Sequence, residues 1–395
     1  MADVFDKLAT LTRTHEVEKL GVYPFFIPLE SEAGPEVVID GRRLIMLGSN
    51  NYLGLTQDPR IKGAAIAAIE RYGSGCTGSR LMNGTLDLHI RLESRLAAFV
   101  QKTGALAFTT GYQTNLGTIA ALAGRRDTIV VDRSVHASIL DGCRLSLGET
   151  VRFKHNDMRD LERVLQGIDP KRGILIVVDG VYSMEGDVAN IPELVRLKQK
   201  YNARLMVDEA HSVGVFGEGG RGVAEHFGLL DQVDVYTATF SKSFASIGGF
   251  VAADAEVVYY IKHMARAMLF SAALPPASTA AALAALDVIE EEPERRTRLW
   301  ENTKLLLDGL KELGFTTGKT ESPVIPLIIG EEVRLALFWR GLFDNGVFTN
   351  AAVSPAVEPD RALIRLSLMA THTPEHLRCA LAVMEEVGKQ QGLLT

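Results

Sequence analysis

Several short polar stretches of this chain carry side chains suited to holding an anion, a flat ring and a reactive amine. Lys242 lies in Thr237-Ala238-Thr239-Phe240-Ser241-Lys242-Ser243, just ahead of Gly248 and Gly249. A lysine becomes a nucleophile near neutral pH when its surroundings depress its pKa. Taken alone, a lysine is far more often a surface residue. Asp208 and His211 stand in Asp208-Glu209-Ala210-His211-Ser212, directly after an apolar run. An acid at the end of a buried run is costly unless it is paired. It either caps a helix or joins an ion pair, or it holds a cationic ring nitrogen.

Three further stretches complete the set. Thr110-Gly111-Tyr112-Gln113 opens a helical pattern, where free backbone amides suit a phosphate, although glycine before a helix is usually only a turn. His136 follows Asp132-Arg133-Ser134-Val135, and it is as readily a structural histidine as a functional one. Asp179 to Asp187 forms a polar loop that holds Ser183. Singly these signals are weak. Their order along the chain is specific: an anion loop, a ring-facing histidine, an acid and then a lysine. That is the set a pyridoxal phosphate (PLP) site needs, gripping an electron sink by its phosphate, its nitrogen and its aldehyde carbon.

The elements that must position these residues follow from apolar periodicity. Between about residues 60 and 290, short apolar runs at 105–109, 128–131, 174–178, 205–207, 233–236 and 250–252 alternate with helical patterns at 115–123, 158–165 and 192–201. Runs buried on both faces with helices between them predict βαβ units around a mostly parallel sheet. In such sheets ligands sit beyond the C-terminal strand ends, where each candidate residue falls. Residues 1–50 read as an N-terminal arm closed by a hairpin, 37–39 and 44–46 around Asp40-Gly41. Residues 51–290 read as a large α/β domain. Residues 291–395 read as a smaller α+β domain with a helix over 290–313, strands at 324–329 and 362–368, and a closing helix from Pro374.

Composition narrows the function classes. A net charge of -7 argues against a nucleic-acid binder, which needs a basic surface. Cys76, Cys143 and Cys379 are far apart, which predicts a reducing, cytoplasmic setting with neither a disulfide framework nor a metal site. The N-terminal segment has charges where an export signal needs an apolar run. The most apolar stretch, 272–289, is interrupted by Pro275, Pro276 and Asp287, so no membrane span is expected. Peripheral contact with a membrane surface stays compatible with this composition.

The chain resembles the α-oxoamine synthases, fold-type I PLP enzymes that join an amino acid to an acyl-CoA with loss of CO₂. The stretches that carry the resemblance are Asn50-Asn51-Tyr52-Leu53-Gly54-Leu55, Gly73-Ser74-Gly75-Cys76-Thr77-Gly78-Ser79-Arg80, Asn83-Gly84-Thr85, His136-Ala137-Ser138-Ile139, Asp208 to Ser212 and Thr239 to Ser243. It extends over about residues 20 to 390 and implies the PLP-dependent transferase fold, with a seven-stranded-type sheet.

Carried over residue by residue, the resemblance makes Lys242 the amine that joins the cofactor. Asp208 partners the pyridine nitrogen, His211 and Ser183 the ring oxygen, and His136 stacks on the ring. Gly111, Tyr112, Thr239 and Ser241 hold the phosphate. Arg365, His136 and Asn51 meet the amino acid, and Ser271 reaches the phosphate of a partner subunit, which implies a homodimer with shared sites. The wording of residues 73–85, 141–143, 180–184 and 239–243 is closest to the branch that uses serine and a long-chain acyl-CoA of palmitoyl type. That reaction gives 3-ketodihydrosphingosine and opens sphingolipid synthesis. The alternative is a sister enzyme using glycine or alanine with a shorter acyl-CoA. Two departures stand out: Ala238 replaces the usual glycine, and 350–355 lacks the family's usual wording for a mobile loop.

Overall fold

The computed structural model describes residues 3–394. Its first regular strands are β1 (Glu36–Ile39) and β2 (Arg42–Met46), an antiparallel hairpin. Asp40 and Gly41 both have positive φ, which the tight turn requires. This is the expected hairpin, but it is not isolated. A later strand pairs parallel with β2, and the Ile45 amide reaches the Gly346 carbonyl at 2.8 Å.

The central sheet contains β3 (Gly104–Phe108), β4 (Asp127–Asp132), β5 (Glu149–Phe153), β6 (Gly173–Asp179), β7 (Arg204–Asp208), β8 (Val235–Thr239) and β9 (Gly249–Ala253). Their spatial order is β3-β9-β8-β7-β6-β4-β5. Only β9 runs antiparallel to its neighbours. Ile129, Val130, Val131, Ile176, Val177, Val178, Leu205, Met206 and Val207 have no exposed surface. Burial on both faces is the environment β-branched runs select, each such side chain contributing about 1.5–3 kcal/mol.

Helices α1 (Gly111–Leu122), α2 (Ala137–Leu145), α3 (Met158–Gln166) and α4 (Ile191–Lys200) connect or cover these strands. Each start has a sequence cause. Thr110 accepts from the Gln113 amide, Asp157 from those of Arg159 and Asp160, and Asn190 from that of Glu193. Leu161, Val164 and Leu165 of α3 are buried at helical spacing.

From residue 276 onward the elements are α5 (Pro276–Glu291), α6 (Glu294–Leu313), β10 (Val324–Gly330), α7 (Glu332–Asp344), β11 (Val347–Phe348), β12 (Asn350–Ala352), β13 (Ala362–Ser367) and α8 (Pro374–Gln390). β10, β13 and β12 form an antiparallel sheet, and β11 is the strand added to the hairpin.

Three expectations shift. The run at 233–236 becomes a strand starting at Val235, because Asp234 is engaged through its side chain with the Leu205 amide and Lys198. The strand then continues through Thr237 and Thr239. β5 carried no sequence signal, since it is an edge strand in which only Phe153 is buried. The expected helix over 290–313 is divided at Glu292-Pro293, between α5 and α6, where proline cannot donate to the preceding turn. Among the described residues no helix is long and apolar enough to cross a membrane. None of their His, Cys, Asp and Glu side chains cluster in threes or more around a metal-sized site.

Candidate active site

The register of the parallel strands brings the candidate residues to one edge. Asp179 lies opposite Asp208, and Asp208 opposite Thr237. Beyond these ends is a cavity of about 330 Å³. It is lined by Gly111, Tyr112, His136, Ser183, Asp208, His211, Thr239, Ser241 and Lys242, together with Asn115, Ser138 and Asp179.

One end of the cavity is a cradle for an anion. The first turn of α1 leaves amides without intrahelical acceptors, and its dipole favours negative charge. Thr239 Oγ1 bonds the Gly248 carbonyl at 3.0 Å and Ser241 Oγ at 2.9 Å. Gly111 is required by this approach. A Cβ there would lie 2.6 Å from Thr239 Oγ1 and 2.7 Å from Thr239 Cβ. Ser271 sits just outside the cavity, accepting from Gln113 Nε2 at 3.0 Å in the same turn. Tyr112 is largely exposed, and its hydroxyl bonds Asp141.

At the other end the acids and bases are held by neighbours that carried no assigned role in the sequence. Asp208 is buried and accepts from Asn115 Nδ2 at 2.6 Å and from the Ala210 amide at 2.9 Å. Asn115 also donates to Ser138 Oγ at 3.0 Å and accepts from Thr237 Oγ1 at 2.9 Å. His211 Nδ1 is 2.7 Å from the hydroxyl of fully buried Tyr52. Burial, with the positive charges of Lys242 and Arg365 behind it, pushes His211 well below the ordinary imidazole pKa. His211 is therefore neutral. The His136 ring opens onto the cavity and holds Ser138 Oγ at 2.7 Å through Nδ1. Desolvation lowers its pKa as well.

Lys242 keeps part of its surface open to the cavity, yet enough protein surrounds it for desolvation to dominate. Helped by Arg365 and opposed by Asp208 and Asp179, desolvation brings the amine down to about 8. At pH 7.5 roughly a quarter of such an amine is neutral, against about one in a thousand for an ordinary lysine. Asp179 accepts from the His136 amide at 2.9 Å. Burial, then the neighbouring Asp208 charge, raises its pKa well above the usual carboxylate range. Asp179 follows its apolar run just as Asp208 does, and that was the signal that could have singled it out.

Arg365 adjoins the cavity from β13 and is buried. Its Nε donates to the Ser183 carbonyl at 2.5 Å and its Nη1 to Ser367 Oγ at 2.8 Å, while Nη2 has no acceptor within the protein. A buried, unpaired guanidinium donor is costly, and a ligand carboxylate would satisfy it. Asn51 lies elsewhere. Its amide donates to the Ala33 carbonyl and Thr56 Oγ1, and its Oδ1 accepts from the Leu55 amide. The adjacent residue, Tyr52, is the one that reaches the site. The segment after β12 packs Val357 with Ala352, Leu363 and Met184, next to Ser183.

The set fits PLP. The cradle matches the phosphate, Asp208 matches a protonated ring nitrogen, and Lys242 offers a partly neutral amine to an aldehyde carbon.

The family profile for aminotransferase class I and II matches residues 42–384. A serine palmitoyltransferase of Bacteroides thetaiotaomicron is 51% identical over 98% of this chain and 99% of its own length. An 8-amino-7-oxononanoate synthase of Thermoanaerobacter pseudethanolicus is 44% identical over the whole of both chains. A solved serine palmitoyltransferase with a PLP internal aldimine superposes with a TM-score of 0.97 at 38% identity, covering 100% of both chains.

Proposed function

The chain belongs to the aminotransferase class I and II family, in its α-oxoamine synthase branch, and from that premise we propose that it condenses L-serine with a long-chain acyl-CoA. The products are 3-ketodihydrosphingosine, free CoA and CO₂. The observation that carries this reading is the Lys242 amine, partly neutral at physiological pH, in one cavity with Asp208 and a helix-end anion cradle. The 51% identity to a serine palmitoyltransferase supports the choice of substrates.

PLP, when bound, supplies the electron sink for charge developing at the amino-acid Cα. Arg365 would bind the substrate carboxylate through its unpaired Nη2 and so orient the bonds at Cα. The Lys242 Nζ, displaced by the substrate amine, takes the α-proton as general base. Asp208, oriented by Asn115, keeps the ring nitrogen protonated. When PLP is bound, His136 would pack against it and neutral His211 would hydrogen-bond its ring oxygen. A C–C bond then forms between Cα and the acyl carbon while the C–S bond breaks and CoA leaves. The carboxylate departs as CO₂, and Lys242 returns a proton to Cα.

The site is shared between two copies of the chain, with Ser271 of each reaching the other's phosphate. The large unit 51–290 supplies the cradle, and 291–395 supplies Arg365. Its three free cysteines, far apart and unpaired, support a cytoplasmic setting.

The test is a panel of serine, glycine and alanine against acyl-CoAs of graded length, read as CoA release. Serine with long-chain acyl-CoA should be the fastest pair. Preference for alanine or glycine with a shorter acyl-CoA would favour the second reading, which the 44% relative supports. Loss of amino acid without CoA or CO₂ release would overturn both.

A further inference from the structure

Outside the cavity, the His155 imidazole is held between two carboxylates. Its Nδ1 lies 3.1 Å from Asp132 Oδ1 and its Nε2 lies 3.0 Å from Asp187 Oδ2. A neutral imidazole donates from one nitrogen only and would turn a lone pair on the other carboxylate. Asp132 is committed as an acceptor, and Asp187 Oδ1 is buried without a partner. Asp132 has no exposed side-chain surface and already accepts from the Ser134 amide, the Asn156 amide and the Tyr182 hydroxyl. Asp187 Oδ2 also receives Asn156 Nδ2 at 3.4 Å. A carboxylate oxygen within reach of each ring nitrogen is the geometry that suits a doubly protonated His155. Burial alone would lower its pKa, but the bonds to Asp132 and Asp187 outweigh it and carry it up to about 10. The Tyr182 ring stands edge-on with its centroid 4.4 Å away.

The two acids belong to different parts of the site. Asp132 ends β4, whose following loop delivers His136. Asp187 lies in the loop that delivers Ser183. That loop is folded on itself by the bonds of the Tyr182 amide to the Asp187 carbonyl and the Ala189 amide to the Gly180 carbonyl. The Ser183 carbonyl in turn receives Arg365 Nε at 2.5 Å. A continuous chain of contacts thus runs from His155 through Asp187 and the loop to Arg365.

We propose that His155 is a positioning residue of the amino-acid site, a cationic clamp that fixes the 180–188 loop to the end of β4 and thereby aims Arg365 at the substrate carboxylate. This rests on the role given to Arg365 above. His155 touches no reacting atom. Its loss should weaken ground-state binding of the amino acid and leave the chemical step nearly intact.

The first measurement is on the cofactor-free protein. In selectively ¹⁵N-histidine-labelled material, the signals that His155→Gln removes should show both ring nitrogens protonated at pH 8, where an ordinary histidine of pKa ~6.5 is neutral. A neutral pattern there would overturn the proposal.

The second measurement is kinetic, on the PLP-loaded enzyme. His155→Gln and the milder Asp187→Asn should each raise KM for the amino acid at least about tenfold, the scale of one charge-assisted hydrogen bond. kcat, KM for acyl-CoA and borohydride labelling of Lys242 should stay within about twofold, since uniform binding alone is lost. An unchanged amino-acid KM beside a lowered Tm would mean a purely structural role and overturn the proposal. So would equal losses in every kinetic constant. If His155→Gln does not fold, Asp187→Asn alone decides. Arg365→Lys serves as the control. If it raises the amino-acid KM and the clamp variants do not, only the clamp fails. If it leaves that KM unchanged, the role of Arg365 itself is refuted.

Discussion

Asn115 Nδ2 lies 2.6 Å from Asp208 Oδ2, and the same amide bridges to Ser138 Oγ at 3.0 Å and accepts from Thr237 Oγ1 at 2.9 Å. One buried side chain therefore ties Asp208, the acid that would pair with the ring nitrogen, to α1, to α2 and to β8. Asn115→Ala removes a charged hydrogen bond from Asp208 and strands the Thr237 hydroxyl, while Ser138 keeps only its bond to His136. The expected loss is about 1–3 kcal/mol of stability, by urea unfolding, and roughly tenfold or more in kcat. The absorbance of the bound cofactor should shift as well, because its nitrogen loses a fixed partner. An unaltered spectrum with unaltered kcat would show that Asp208 needs no such support.

Lys242 makes a pH prediction of definite sign. Its amine is brought down to about 8 from 10.5 in the cofactor-free protein, and only the neutral form attacks an aldehyde. The rate at which the apoprotein captures PLP covalently should rise about tenfold per pH unit below 8 and level off above it. Stopped-flow absorbance measures this directly. Stability runs the same way. The unfolded chain binds the extra proton between about 8 and 10.5, so burial of this lysine costs most below 8 and the cost is lifted as pH rises. Lys242→Met should therefore raise the Tm of the apoprotein at pH 7, with the advantage shrinking towards pH 10. Borohydride treatment of the wild type should place the pyridoxyl label on the Lys242 peptide, and the variant should carry none.

Gly111 tests the anion cradle. A Cβ at this position would sit 2.6 Å from Thr239 Oγ1, and Gly249, paired with Thr239 on the next strand, also approaches, its own Cβ position lying 2.7 Å from Gly111 Cα. Gly111→Ala must push the start of α1 away from β8. PLP affinity should fall by about tenfold or more, as expected for the loss of one or two charge-assisted bonds to a phosphate. Equilibrium dialysis of the cofactor gives the measurement. Thr239→Ala should weaken binding less, since the backbone approach survives.

The strand-end residues were readable in advance because parallel sheets place all their C-terminal ends on one side. Lys242, Asp208, His211 and Gly111 could be grouped by their order after apolar runs, and the structure brings them to one cavity, while their individual roles rested on the family resemblance. What stayed hidden depends on neighbours distant in sequence. Nothing local says that Asn115 will face Asp208 across two elements, or that His155 will meet Asp187. Asn51 and Tyr52 are adjacent and both polar-capable, and periodicity cannot decide which turns inward. The structure buries the Asn51 amide in its own turn and sends Tyr52 to His211. β5 was invisible for a different reason, since an exposed edge strand has no apolar run to read.

Arg80 closes the stretch 73–80, which carried the family resemblance but no assigned role, and the structure shows what it holds. Its guanidinium grips Glu93 with both amines, at 2.7 Å and 3.0 Å, and its Nε bonds Thr85 Oγ1 at 3.1 Å. Glu93 Oε1 also accepts from the Ala107 amide at 3.0 Å, so the pair links the 78–85 loop to β3. Both side chains are nearly buried, 5% and 11% exposed. Removing one partner leaves an uncompensated charge, so Arg80→Ala should cost about 3–5 kcal/mol, read as a fall in the urea midpoint at unchanged m-value. Replacing both at once, Arg80→Met with Glu93→Leu, should recover most of that loss, because the desolvation penalty disappears with the pair. A single-variant cost below about 1 kcal/mol would place this pair with exposed ion pairs and refute the buried-pair assignment.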